Sequence, residues 1–121
     1  MTQGLSRGQE LALLAGLKLV VTAAILLSGF HGISDDDFAR VVIAQDFAHA
    51  PRLDPSGTSW LPLPFWIQGA AMAIFGPSLE VARAVAIASA LGCTLLIHRA
   101  ALLLGARRDA AFVGTALAIA L

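Results

Sequence analysis

From Leu11 to Phe30 the chain carries one charged residue, Lys18, in an otherwise apolar run. That length matches the roughly 20 residues a helix needs to cross the hydrocarbon of a bilayer. Further apolar stretches run from Leu61 to Phe75, from Val81 to Leu104, and onward from Ala110. Polar or turn-forming residues separate them, so the pattern predicts an all-α, polytopic transmembrane helical bundle. Composition agrees, with 58% hydrophobic and 13% charged residues, where soluble proteins are about one quarter charged. Lys+Arg and Asp+Glu total 8 each. With no basic stripe and no net charge, nothing favours nucleic acid as a partner.

About four transmembrane helices are expected, the last one incomplete, in a single transmembrane domain covering residues 1–121. Helix 1 spans about 11–30. Ser6 followed by Gln9 has the form of a capping box, which satisfies orphan backbone donors at a helix start. A cleavable signal peptide is the competing reading. Arg7 is a thin basic region for one, the apolar run is long, and no small-x-small site precedes the next loop, which favours an uncleaved span. Lys18 would cost about 2.5 to 3.5 kcal/mol at the bilayer centre, so it should snorkel or face neighbouring helices. Helix 2 runs from about 61 to 75, with Pro62 and Pro64 in its first turn, where a missing amide hydrogen costs little. Gly76-Pro77-Ser78 breaks it. Helix 3 follows from about 81 to 104, capped near Ser78. Its small residues Ala84, Ala86, Ala88, Ser89, Ala90 and Gly92 permit close helix approach, so it is expected to pack against protein. Helix 4 begins at 110 and is still apolar at Leu121, an incomplete span, so these residues are expected to be the N-terminal part of a longer protein. Cys93, the only cysteine, cannot close a disulfide within the chain and reads as a small core residue.

Residues 31–59 form a polar loop that opens with Ser34-Asp35-Asp36-Asp37-Phe38-Ala39-Arg40. Ser34 can cap a helix whose first turn holds the three acids against the positive end of its dipole. Phe38, Val41, Val42, Ile43 and Phe47 alternate with Arg40, Gln45, Asp46 and His49 in a way that suits a short helix lying in the membrane interface. Capping explains one or two acids, yet three consecutive like charges repel, so a functional site stands beside the capping account. Two chemistries fit: a carboxylate acting as general base on a hydroxyl, or several carboxylates holding a divalent cation. A cation would need His31, His49 or Asp54 to fold back, so the sequence requires no metal and no other cofactor. His31 and His49 read as interfacial polar residues. His98 reads as the end of helix 3 or a packing residue. Pro51 to Ser59 should form a helix-free connector, and Trp60 and Trp66 an aromatic belt residue and a packing residue.

Four crossings from a cytoplasmic N-terminus place Arg7, Lys18 and Arg83 inside and Arg40, Arg52, Arg99, Arg107 and Arg108 outside. That count runs against the positive-inside rule, so charge leaves the orientation open.

Taken in order, several features resemble the start of polytopic glycosyltransferases of the GT-C type. They are the first transmembrane helix, the loop opening with Asp35-Asp36-Asp37-Phe38, the segment Trp60-Leu61-Pro62-Leu63-Pro64-Phe65-Trp66, and Phe75-Gly76-Pro77-Ser78-Leu79-Glu80-Val81-Ala82-Arg83. The likeness is to the bacterial branch related to protein O-mannosyltransferases and aminoarabinose transferases of lipid A, the family 39-like enzymes. It covers about residues 10 to 115. Here the second acid is Asp where that branch usually has Glu, and Leu61-Pro62-Leu63-Pro64 stands where a Pro-Pro-Leu-like segment is common. The resemblance implies transfer of a sugar, with inversion, from a polyprenyl-phosphate donor to the hydroxyl of a glycan, lipid or protein acceptor. Transfer would occur on the periplasmic or extracellular face of a bacterial inner membrane, with the N-terminus inside. It implies Asp36 as the base and Asp37 as its partner, or Asp35 if the register slips by one. Arg40 would pair with Asp36 at i, i+4 or neutralise the helix start. Phosphate-binding basic residues would lie beyond Leu121, so this portion alone is expected to be inactive. The alternative is a non-enzymatic helical scaffold or transporter fragment.

Overall fold

The computed structural model describes residues 4–29 and 35–120. The expected Ser34 cap and the placement of His31 lie outside the described residues. The chain is all-helical: α1 (Arg7–Leu27), α2 (Asp35–His49), α3 (Leu63–Phe75), α4 (Leu79–Leu103) and α5 (Arg108–Ala120). Among the described residues there is no strand.

The capping box starts α1. Ser6 Oγ accepts from the Gln9 backbone N–H at 3.2 Å, and Gln9 Oε1 accepts from the Ser6 N–H at 2.7 Å. The helix therefore begins at Arg7, ahead of the apolar run, because the cap and not hydrophobicity sets its first turn. At 21 and 25 residues, α1 and α4 are about 32 and 38 Å long, enough to cross about 30 Å of hydrocarbon. They are the two helices among the described residues that are long and apolar enough to cross a membrane. Only 11% of the apolar window of α1 and 17% of that of α4 is buried within the described residues. Leu13, Val20 and Ile25 on α1, and Leu96 and Ile97 on α4, are exposed. Lys18 is half-buried on α1. At 13 residues, α3 reaches only about 20 Å, short of a full crossing.

The helices fall into two compact units. In the first, α2 and α3 pack together with the start of α4, up to Ile87. Ala44, Met72 and Ala82 form its centre, with Val41, Ala48 and Val81 against them. The close approach depends on Gly69, where an added Cβ would overlap the Phe47 ring and sit 2.9 Å from the Ala44 carbonyl oxygen. Gln45 Nε2 donates to the Pro77 carbonyl at 3.0 Å, fastening α2 to the turn between α3 and α4. Ser78 Oγ then accepts from the Val81 N–H at 3.3 Å and caps α4. Residues 51–59 hold no helix, and Asp54 bends them by accepting from Gly57 N–H at 3.0 Å.

The second unit joins α1 and α5 with α4 from Ala88 onward. Leu14, Ala111 and Ile119 are buried in it. The buried hydroxyls of Thr94 and Thr115 donate at 2.8 Å to carbonyls one turn back, on Ala90 and Ala111, so neither is left unpaired. α4 ends in a Schellman arrangement: Gly105 has φ +88, its N–H bonds the Leu102 carbonyl at 3.1 Å, and the Ala106 N–H bonds the Ala101 carbonyl at 3.0 Å. Two expectations for α4 need correction. Cys93 is exposed and not a core residue. Ala84, Ala86, Ala88 and Ser89 are exposed too. Within this chain α4 buries Ala82, Thr94 and His98, and Ala90 and Gly92 are part-buried.

Candidate functional site

Asp35, Asp36 and Asp37 form the first turn of α2, all exposed. A helix N-terminus carries about half a positive charge, which offsets part of their mutual repulsion. Arg40 meets Asp37, Nη1 to Oδ1 at 3.9 Å, with both side chains more than half exposed. The expected i, i+4 pair with Asp36 gives way to an i, i+3 pair because the guanidinium also lies over the Trp60 ring, 5.4 Å from its centroid. Trp60 stacks on Phe65, with centroids 6.0 Å apart and planes 22° apart. Arg40, Trp60, Phe65 and Gln68 line an open groove of about 370 Å³. The acidic turn, the bridging arginine and the aromatic pair thus lie in sequence along one unit.

Other residues singled out in the sequence stay apart from this group. His49 uses Nδ1 to bond its own backbone, at the Gln45 carbonyl, 2.8 Å away. Asp54 serves its own turn, accepting also from Ser56 Oγ at 3.3 Å. Among the described residues no group of three or more His, Cys, Asp or Glu side chains is placed to hold a metal ion.

A second polar centre was not foreseen. Glu10 and His98 are 1% and 2% exposed, in helices that otherwise show apolar surface. Glu10 Oε1 lies 2.7 Å from Arg108 Nε, and Glu10 Oε2 lies 4.0 Å from His98 Nε2. Arg108 also donates from Nη2 to the Leu5 carbonyl at 2.6 Å. The buried carboxylate therefore has a cationic partner, as a buried charge requires. The pairing is incomplete: Glu10 Oε1, Arg108 Nε and His98 Nδ1 are buried without an aligned hydrogen bond. In the sequence Glu10 looks like an ordinary first-turn acid, and Arg107-Arg108-Asp109 like a loop. The one available signal was a glutamate directly ahead of a long apolar run.

No family model, curated protein or solved structure matches the chain.

Proposed function

We propose that this chain carries the acidic loop of a GT-C-type membrane glycosyltransferase, with the start of α2 as its catalytic edge. The observation that carries this reading is an exposed carboxylate turn beside an aromatic groove, on a short helix that follows α1 and precedes α4, the two helices of membrane-crossing length, in chain order. Such a turn can accept a proton from a hydroxyl, and an aromatic face can pack against the C–H face of a sugar ring. In the proposed step, Asp36 takes the acceptor's hydroxyl proton as that oxygen attacks the anomeric carbon. The bond from that carbon to the lipid phosphate breaks, the polyprenyl phosphate leaves with the electron pair, and the anomeric centre inverts. Asp37, held by Arg40, is the partner that keeps a second negative charge beside the base.

The test is turnover of polyprenyl-phosphate-linked mannose or aminoarabinose in membranes of cells expressing the full-length protein that carries these residues at its N-terminus. Loss of a general base costs about 10² to 10⁴ in rate, so Asp36→Asn is expected to reduce transfer at least about 100-fold while the protein still inserts. A carboxylate that merely caps the helix would tolerate this change, because Asn also accepts from first-turn amides. Undiminished transfer by Asp36→Asn would therefore remove the base assignment.

Sidedness follows from the same proposal. Glu10, near the start of α1, meets His98, near the end of α4, so these ends share one face when both helices cross. With α3 too short to cross, α1 and α4 are successive crossings. Arg7, Arg99, Arg107 and Arg108 then flank the membrane on one face, against Arg40, Arg52 and Arg83 on the other. Positive residues favour the cytoplasm, which supports a reading with the N-terminus inside and the acids outside. In the four-crossing scheme, with α3 as a span, the same residues count the other way.

A further inference from the structure

In the α1–α4–α5 unit a cleft of about 400 Å³ opens above the buried Glu10 carboxylate. Glu10, His98, Arg108, Arg7 and Arg99 line it. Three guanidiniums face one carboxylate there, a balance of +3 and −1, or +2 with His98 neutral. The whole chain has a formal net charge of zero, so this is a local concentration of positive charge.

We propose that this cleft binds the phosphate headgroup of an anionic membrane lipid. Arg7 and Arg99 are exposed and have no acidic partner among the described residues. Guanidinium forks match phosphate oxygens in geometry and charge. His98 lines the same cleft, is 2% exposed, and leaves Nδ1 without a hydrogen-bond partner. That atom is itself buried, so the headgroup contacts fall to the guanidiniums of Arg7 and Arg99. Leu11, Leu102 and Leu103 supply an apolar wall beside the charges, with Leu103 80% exposed. A free anion has no use for that wall, whereas an acyl chain does. The cleft also lies at the ends of both helices of membrane-crossing length, where headgroups sit, and basic pockets between membrane helices are a known setting for anionic headgroups. The inference rests on the membrane reading of α1 and α4 and is independent of sugar transfer.

The test is native mass spectrometry of the chain in a neutral maltoside detergent, with dioleoyl phosphatidylglycerol, dioleoyl phosphatidylcholine or inorganic phosphate added. One saturable phosphatidylglycerol adduct is expected, with phosphatidylcholine at least about tenfold weaker. The double variant Arg7→Gln/Arg99→Gln should weaken the adduct about tenfold or more, given the contribution of each basic residue near a membrane surface. Its circular dichroism and unfolding midpoint should match the parent, because neither side chain holds the fold. Arg40→Gln, in the other unit, should bind as the parent does. Equal binding of the two lipids overturns the proposal. So does binding of inorganic phosphate without lipid, an undiminished adduct in the double variant, or an equal loss in Arg40→Gln.

Discussion

Glu10 concentrates more of the tertiary structure than its place in the first turn of α1 implies. Removing its carboxylate strands the Arg108 guanidinium and the buried His98 ring together. An ion pair with one part-exposed member is worth on the order of 1 kcal/mol. Glu10→Ala is therefore expected to destabilise the chain by about that amount, read as a lower midpoint of thermal unfolding in detergent, with Glu10→Gln in between. Arg108 is 40% exposed and Glu10 only 1%, so Arg108→Gln, which leaves the buried carboxylate without its cationic partner, should cost at least as much as Glu10→Ala. Equal stability of Glu10→Ala and the parent would show that the cluster contributes nothing. Arg40, in the other unit, teaches a related lesson. The sequence offers it two acids at helical spacing, and a ring brought from twenty residues downstream selects between them.

Among the elements, the pairing of α2 with α3 turns on a missing side chain. A methyl at Gly69 would press on both Phe47 and the Ala44 carbonyl. Overpacking of this kind costs about 1 to 3 kcal/mol, so Gly69→Val should lower the unfolding midpoint. Combining it with Phe47→Ala should recover only part of the loss, since the Ala44 backbone cannot be trimmed away. Full recovery would place the conflict at the ring alone. The helices themselves were legible in the sequence: the Ser6–Gln9 box, the prolines of α3 and the Ser78 cap are local signals, and local signals fix where a helix begins and ends. The α2 helix and the helix-free connector after it were legible for the same reason. Gly69 was not, because only contact with α2 gives it meaning. The centre at Glu10, His98 and Arg108 was hidden likewise, as nothing in the spacing of three polar residues on three helices shows that they meet. The expectation that Cys93 lies in a core failed because an apolar neighbourhood in sequence describes a lipid-facing surface equally well.

For the whole molecule, the arrangement of crossings yields a prediction that separates two topologies. In a Cys93→Ser background, Ser56→Cys should react with a membrane-impermeant maleimide added from outside, and Arg107→Cys only after the membrane is opened. Four crossings, with α3 among them, would expose both cysteines to the outside. Labelling of both in intact cells would therefore refute two successive crossings by α1 and α4.

The contact between Arg108 and Leu5 joins residues 103 positions apart, and this sets an order of events during synthesis. Glu10 leaves the ribosome long before either partner has been translated. α1 must enter the bilayer while its carboxylate still relies on water or headgroups for solvation, and only the emergence of α5 lets the unit close. A nascent chain halted before Arg108 would hold a fully inserted first helix and an unfinished bundle. Closure is thus an assembly step distinct from insertion, and its timing is governed by translation.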